Sequence, residues 1–262
     1  MPDWLTSILL GIIEGITEFL PISSTGHLLV PQQLGWLTPQ SDLFNIAIQS
    51  GAVVAVLFNF TDRVKQLTLR WREPEARDYL AKLLVAFVIT GVGGLLIDKL
   101  GFKLPEVVLP VAVALLVGGV LFVVVEKKIG GRANLAEVTW AIAIAVGFGQ
   151  LLAAMFPGTS RSGATILIAL LMGLRRMPAI EFTFLLGVPT LLAAGAYKVF
   201  KAIRDESVTE DWGQLALATA VSAVTAFVSV RWLLRYIETH TFVVFGWYRI
   251  ALGLALLFAI NS

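Results

Sequence analysis

Six uninterrupted apolar segments, each about as long as a membrane-spanning helix, constrain this chain more than any other feature of its sequence. A helix needs about 20 mostly apolar residues to cross the hydrocarbon core of a bilayer. The chain is 57% hydrophobic and only 15% charged, whereas soluble domains carry about 25% charged residues. We therefore predict an all-α integral membrane protein with spanning helices at 43–60, 80–97, 107–125, 179–200, 213–236 and 242–261.

Two further apolar segments are long enough to enter the membrane but are interrupted by proline. The first covers 4–20 and resumes at 28–36 after "PISSTG". The second covers 138–156 and resumes at 164–174 after "PGTSRSG". Proline cannot continue a helix, and the Ser, Thr and Gly residues that follow suit a turn and a new N-cap. Each half of the chain thus contains one broken segment and three spans.

The positions of Lys and Arg predict how these segments are oriented. If both broken segments are re-entrant hairpins, thirteen Lys and Arg residues lie on one side and five on the other, namely Lys99, Lys103, Lys198, Lys201 and Arg204. Positive charge is concentrated on the cytoplasmic side of membrane proteins, so the first side is cytoplasmic. The hairpins then enter from opposite faces. This predicts one membrane domain, 1–262, built as an inverted-topology repeat of halves at about 1–130 and 131–262.

Two acidic residues precede the first break. Glu14 and Glu18 stand four residues apart, so a helix places both carboxyl groups on one face. They form either a polar stripe against a neighbouring helix or a functional site, which ionisable groups inside a membrane usually mark because they are costly. As a functional pair, they are suited to hold a divalent cation through oxygen atoms or to accept a proton.

Hydroxyl groups and a histidine follow the same break. Ser23, Ser24 and Thr25 are suited to cap a new helix, and Gly26 would let the backbone approach a ligand. If a helical turn starts at Ser24, His27 falls three residues later on the same side. Serine and histidine near carboxylates match the nucleophile, base and orienting group of covalent catalysis, although a serine cluster after proline is more often only a cap.

The second break combines hydroxyl groups, glycine and an arginine at the start of a helix. Donors of this kind converge on an anion, and the helix dipole favours negative charge there. The planar guanidinium of Arg161 matches phosphate oxygens and keeps its charge when buried. The alternative is that Arg161 reaches a lipid headgroup at the membrane surface. The predicted anion-binding residues are Thr159, Ser160, Arg161, Ser162, Gly163 and Thr165.

The remaining polar residues and the composition bear on residue roles and on the kinds of chemistry and binding partner available. Gln49, inside the first full span, is equally suited to contact the site or to bond across helices. Arg249, inside the last span, is expected to pair with an acid or reach a membrane interface. The chain has no cysteine, which excludes disulfides and thiolate chemistry. Its basic residues form no single patch, which argues against a nucleic-acid partner.

Together, the two breaks favour hydrolysis of a phosphate or diphosphate carried on a lipid, because a water-soluble substrate would not need an intramembrane pocket. A transporter is the alternative from another class, since inverted repeats with broken helices recur in secondary transporters. Lipid phosphatases with paired histidines match less well, because only one histidine lies near the breaks.

Two long motifs, "EGITEFLPISSTGHL" and "PGTSRSGATI", resemble the undecaprenyl-diphosphatase family of bacterial membrane enzymes linked to bacitracin resistance, with further similarity at "QSGAVVAV" and "EFTFLLGVPT". The resemblance covers the whole chain and implies six spanning helices with two re-entrant hairpins. It implies hydrolysis of undecaprenyl diphosphate to undecaprenyl phosphate and phosphate, which recycles the lipid carrier for peptidoglycan synthesis. The implied location is the bacterial cytoplasmic (inner) membrane, with the site open to the outer, periplasmic face.

The resemblance also assigns residues. The family's acidic pair falls on Glu14 and Glu18, its serine on Ser24, its histidine on His27 and its arginine on Arg161. In our mechanistic hypothesis Ser24 attacks the terminal phosphorus and His27 or Glu18 takes its proton, while the acidic pair positions Mg²⁺ or Ca²⁺. Arg161 and the backbone amides from Ser160 to Gly163 hold the diphosphate of a polyprenyl lipid, which is surrounded by membrane lipids. The nucleophile stays open between Ser24, His27 and water. A homodimer, the prenyl chain length and movement of the product across the membrane also stay open.

Overall fold

A computed structural model describes residues 2–102, 104–105, 107–129, 133–204 and 211–261 of the chain. Lys103 and Arg132, which enter the charge count, lie outside these ranges, as does the predicted boundary between the halves. Within the described ranges the protein forms eleven α-helices. They are α1 Asp3–Thr17, α2 Ser24–Gln33, α3 Asp42–Asn59, α4 Thr61–Leu69, α5 Pro74–Leu100, α6 Val108–Ile129, α7 Trp140–Met155, α8 Arg161–Leu171, α9 Arg176–Arg204, α10 Trp212–Thr239 and α11 Val243–Asn261.

Four of these helices, α5, α6, α9 and α10, are long and apolar enough to cross a membrane. A fifth crossing is available from α3 and α4 together, which meet at an angle of 83°. The last predicted span coincides with α11, whose described apolar stretch, Val243–Ala259, is shorter than the others. The chain is therefore an all-α, multi-pass membrane protein.

A short amphipathic helix, α4, follows α3 in a region that the sequence analysis treats as a connection. Val64 and Leu67 pack against the hydrophobic core, whereas Asp62 and Lys65 are exposed on the opposite face. Apolar residues three positions apart fit the period of a helix that packs on one side only. Such a short and polar helix cannot cross a bilayer, so α4 lies across the end of α3.

Both proline breaks interrupt their helices where the sequence predicts, and the same local structure begins the helix after each break. Ser23 and Ser160 are the N-caps of α2 and α8, with φ angles of 76° and 69°. Each Oγ accepts a hydrogen bond from the backbone N–H three residues later, from Gly26 at 3.3 Å and Gly163 at 3.1 Å. A positive φ costs a non-glycine residue about 1–3 kcal/mol, and the caps help to hold it.

Glycine residues let neighbouring helices approach closely at several crossings. Where α1 packs on α10, a Cβ atom added at Gly15 would lie 2.5 Å from the carbonyl oxygen of Ser222. Where α5 packs on α7, a Cβ at Gly147 would lie 3.0 Å from the carbonyl oxygen of Ala86. Small residues are common where helices associate in membranes, since the driving force there is close packing. These crossings hold the broken helices α1 and α7 against long helices.

We expect Gly15→Ala to lower the melting midpoint in detergent, because its methyl group would overlap backbone that cannot yield. Overpacking of this kind typically costs about 1–3 kcal/mol. The matched control is Gly94→Ala on α5, where an added Cβ meets no atom within 4 Å and alanine is the better helix former. Equal melting midpoints for Gly15→Ala and the wild type would contradict the packing of α1 on α10.

Candidate active site

One carboxylate, that of Glu18, joins the two breaks. Glu18 lies at the C-terminal end of α1, where its backbone N–H donates to the carbonyl oxygen of Glu14 at 2.9 Å. Its Oε2 accepts a hydrogen bond from Ser24 Oγ at 2.7 Å. Its Oε1 accepts from Nη2 of Arg161 at 2.8 Å. Ser24 and Arg161 are the first residues of α2 and α8, so equivalent positions of the two half-helices meet on a single carboxylate.

Arg161 uses only part of its hydrogen-bonding capacity within the described structure. Its side chain is 13% exposed, and its Nε and Nη1 atoms are buried without a hydrogen-bond partner among the described residues. The guanidinium lies 5.4 Å from the ring centre of Phe19, a cation–π contact. Gly187 of α9 leaves room for it, because a Cβ there would lie 3.0 Å from Cζ. The arginine is therefore held by one ion pair and has two nitrogen atoms, Nε and Nη1, left to bind an anion.

Glu14 lies one helical turn before Glu18 and is 0% exposed. Neither of its carboxylate oxygens has a hydrogen-bond partner within the described part of the chain. Its carboxyl group lies beside that of Glu18, with which a shared proton would make a hydrogen bond, and it also interacts electrostatically with Arg161. Buried polar atoms are nearly always satisfied in folded proteins. The unpaired oxygens of Glu14 therefore indicate that this carboxyl group binds a proton, a water molecule or a cation.

The imidazole of His27 contacts α11, and in the described structure no hydrogen bond joins it to Ser24. Its Nδ1 lies 2.7 Å from the carbonyl oxygen of Ser23, which only accepts hydrogen bonds, so Nδ1 carries the proton. Its Nε2 lies 2.7 Å from the hydroxyl group of Tyr248, and the two rings are nearly parallel, at 6°. A neutral imidazole with Nδ1 protonated accepts at Nε2, so Tyr248 donates. The carboxylate that contacts Ser24 belongs to Glu18, and the histidine does not share that contact.

The remaining hydroxyl groups near the breaks mostly stabilise the backbone. Ser162 Oγ lies within hydrogen-bond distance of the carbonyl oxygens of Glu18 at 3.4 Å and Leu20 at 3.3 Å, and its single O–H, shared between them, ties α8 to the first break. Thr165 Oγ1 donates within α8, to the carbonyl oxygen of Arg161 at 2.8 Å. Ser23 and Ser160 are the N-caps already described. These side chains therefore hold the backbone of the two breaks in place.

The predicted glycine positions are filled by protein. A Cβ at Gly26 would lie 3.3 Å from Val111 of α6, so this glycine allows helix packing. A Cβ at Gly163 would lie 3.2 Å from Nη1 of Arg249. Close approach is thus required at both glycines, and the groups that approach them are a helix and a buried arginine.

Three predicted binding residues sit at the margin of this arrangement. Thr25 and Thr159 are half-buried in the two breaks, and the carbonyl oxygen of Thr159 accepts a hydrogen bond from Arg249 at 2.9 Å. Gln49 is half-buried on α3. In the described structure no hydrogen bond joins Gln49 to Glu18 or Arg161.

Tyr248 and Arg249 are the residues that sequence reasoning missed or placed differently. No sequence pattern assigns a role to Tyr248, although it stands beside a charged residue in an otherwise apolar helix. Among the described residues Arg249 pairs with no acid, and it does not reach an interface. It is fully buried and donates to backbone carbonyl groups of both breaks. An arginine in the middle of an apolar segment was the available signal, because such a charge must find partners inside the protein.

The site offers few ligands for a metal. Glu14 and Glu18 supply the carboxylate oxygens, and no cluster of three or more His, Cys, Asp or Glu residues is placed to hold an ion in the part of the chain that the structure describes. Hard divalent cations accept carboxylate, water and phosphate oxygens together. Two adjacent carboxylates, one with both oxygens unpaired, therefore fit a cation that a substrate or water completes.

We expect the ring nitrogens of His27 to show the neutral form protonated at Nδ1. The chain has only two histidines, so ¹⁵N-histidine labelling with His240→Gln leaves one set of NMR signals, recorded in micelles at mildly alkaline pH. Tyr248→Phe should shift the Nε2 signal, because that nitrogen loses its donor, and should leave Nδ1 nearly unchanged. Protonation at Nε2 instead would contradict the contacts with Ser23 and Tyr248.

Comparison with known proteins identifies the family to which this chain belongs. Residues 7–255 match the family model described as "Bacitracin resistance protein BacA". A relative named undecaprenyl-diphosphatase from Rhizobium etli is 51% identical over 257 residues, which cover 97% of this chain and 96% of the relative. One of the same name from Xanthomonas oryzae pv. oryzae is 49% identical over 259 residues, covering 98% and 97%. The chain belongs to the BacA family of bacitracin resistance proteins.

Proposed function

We propose that this protein is a membrane hydrolase that converts undecaprenyl diphosphate to undecaprenyl phosphate and inorganic phosphate. The relatives named for that activity are similar to this chain over nearly their full length. The observation that carries the proposal is the contact of Ser24 and Arg161 with the two oxygens of Glu18. A hydroxyl group, a base and a cationic anion-binding group are thereby joined in an apolar surrounding. The reaction would return the lipid carrier to peptidoglycan synthesis.

Ser24 is the nucleophile that this geometry favours. Its Oγ–H already donates to Oε2 of Glu18, so the carboxylate can take the proton as Oγ attacks the terminal phosphorus. The Ser–O–P bond forms while the P–O bond to undecaprenyl phosphate breaks. Water then hydrolyses the phosphoserine and releases phosphate. The free Nε–H and Nη1–H of Arg161 would stabilise charge on the phosphoryl oxygens.

The alternative nucleophiles are His27 and water. The Nε2 atom of His27 accepts from Tyr248, so attack by the histidine would require that contact to break. Direct attack by water would leave no phosphoenzyme. Acid quenching separates these routes, because a phosphoserine survives acid, a phosphohistidine is lost, and direct hydrolysis leaves neither.

We also assign the acidic pair as the site of a divalent cation, Mg²⁺ or Ca²⁺. The unpaired, buried oxygens of Glu14 support this assignment, and Glu18 lies one turn away. A bound cation would supply positive charge to neutralise the diphosphate. Glu14 would hold the cation, while Glu18 would hold it and remain in contact with Ser24.

The proposed arrangement in the bilayer has six spanning helices and two re-entrant hairpins in an inverted-topology repeat. It is supported by the matching N-caps of α2 and α8 and by the reciprocal packing of α1 on α10 and of α7 on α5. The halves are about 1–130 and 131–262. The membrane is the bacterial inner membrane, and the excess of positive charge on one side supports a site that opens to the periplasmic face.

We expect Ser24→Ala to lower phosphate release from undecaprenyl diphosphate in detergent by about 10³-fold, because the nucleophile is lost. Thr61→Ala on α4 is the control. The described hydrogen bonds of its hydroxyl group reach only the carbonyl oxygens of Leu57 and Phe58 in the preceding turn of α3. Near-normal release by Ser24→Ala would eliminate the serine mechanism.

The wild type should lose activity in EDTA and recover it with Mg²⁺ or Ca²⁺. A wild type that releases no phosphate but moves lipid phosphate in liposomes would be a carrier.

The orientation can be tested with single cysteines, because the chain has none of its own. Lys99→Cys, exposed at the end of α5, should react with a membrane-impermeant maleimide on intact spheroplasts. Arg70→Cys, exposed after α4, should react only after permeabilisation, because it lies on the positively charged side. The reverse pattern would overturn the orientation, and labelling of both positions on intact cells would overturn the span count.

A further inference from the structure

Arg249 is a buried guanidinium whose bonding partners are backbone carbonyl groups. It lies in α11 and is 0% exposed. Its Nη1 donates to the carbonyl oxygen of Pro21 at 3.1 Å. Its Nη2 lies within hydrogen-bond distance of the carbonyl oxygens of Ala114 at 3.1 Å, Gly158 at 3.2 Å and Thr159 at 2.9 Å. None of the ion pairs in the described ranges includes it.

Three of these four acceptors belong to the two breaks, and the fourth, Ala114, lies in α6. Pro21 lies midway between Glu18 and Ser24 in the first break, and Gly158 and Thr159 precede α8 in the second. A carbonyl group in a helix break lacks the amide of the next turn, and inside a membrane it must find a donor within the protein. One side chain therefore satisfies carbonyl groups that the two interruptions leave without helical partners.

The surroundings are shaped to the guanidinium group. A Cβ at Gly118 of α6 would overlap Nη2 and lie 2.8 Å from Cζ, and a Cβ at Gly163 would lie 3.2 Å from Nη1. Arginine presents five donors in a planar fork, so Nη1 and Nη2 can bond to carbonyl groups in different segments of the chain. The ammonium group of a lysine is a compact point charge and cannot span the same acceptors.

We propose that Arg249 is a positioning residue of the active site. By binding the carbonyl groups of Pro21 and Thr159 with one rigid fork, it holds the two breaks together, so that Ser24 and Arg161 reach the two oxygens of Glu18. This inference rests on the proposed function. Arg249 acts through the backbone and contacts no reacting group. A displacement of about 1 Å at a catalytic group can lower the rate about 100-fold.

The first test compares Arg249→Lys with the wild type by phosphate release per folded protein, taken from the monodisperse fraction in detergent. We expect kcat to fall about 100-fold and KM to change much less, because the free donors of Arg161 remain. In Arg249→Ala, added guanidinium ion should restore part of kcat, whereas ethylammonium should not. The control is Arg231→Lys on the exposed face of α10. A wild-type kcat in Arg249→Lys would overturn the proposal.

A second variant reaches the same contact from the other side. Gly118→Ala should displace Nη2 and lower kcat in the wild-type background, but should have little further effect when Arg249 is already alanine. Such non-additivity marks groups that act through one contact. Gly94→Ala, in open space, should leave kcat unchanged in both backgrounds. Fully additive effects of Gly118→Ala and Arg249→Ala would contradict the role assigned to the guanidinium.

A distance measurement separates this inference from the proposed function. Nitroxide labels at Leu34→Cys and Phe156→Cys, both exposed, report the relative position of the two broken segments. Arg249→Lys should broaden or shift the distance distribution, and Arg231→Lys should not. An unchanged distribution in Arg249→Lys would overturn the positioning role. If the wild type releases no phosphate, the proposed function fails, and the distance distribution still decides what Arg249 does.

Discussion

The interaction on which the rest of the site depends is the double contact of the Glu18 carboxylate. A charge inside an apolar bundle is stable only when its partners are close, well oriented and themselves held in place. Ser24 and Arg161 meet that requirement from two half-helices that are far apart in sequence. The carboxylate thus fixes the relation between the broken segments and brings together the groups that the proposed chemistry needs.

Irregular backbone inside a membrane has to be satisfied by the protein itself. In this chain the two breaks meet that requirement in the same way, through serine caps held at positive φ and through a buried arginine that donates to carbonyl groups of both. The caps are local, because each bonds to an amide three residues away. The arginine is global, because it comes from the last helix and joins the two halves.

The polar side chains of the site divide into those that are satisfied and those that are not. His27, Ser24 and Ser162 all have protein partners, so they are oriented before any ligand arrives. Glu14 and part of Arg161 are buried without partners among the described residues. Unpaired acceptors beside unpaired donors are suited to a cation and a phosphate group, respectively. The oriented groups and the unpaired groups therefore lie side by side at the two breaks, which suits the diphosphate chemistry proposed here.

Composition and local pattern determined much of this protein. The apolar segments, the two proline breaks and the acid, hydroxyl and arginine residues beside them were all readable, because spanning length, helix termination and capping depend on residues close in sequence. Other features depended on contacts more than two hundred residues apart: the hydrogen bond from Tyr248 to His27 and the hydrogen bond from Arg249 to the carbonyl group of Pro21. The tertiary structure alone decided these, because an apolar helix can present a polar side chain to several neighbours, and only packing selects which one.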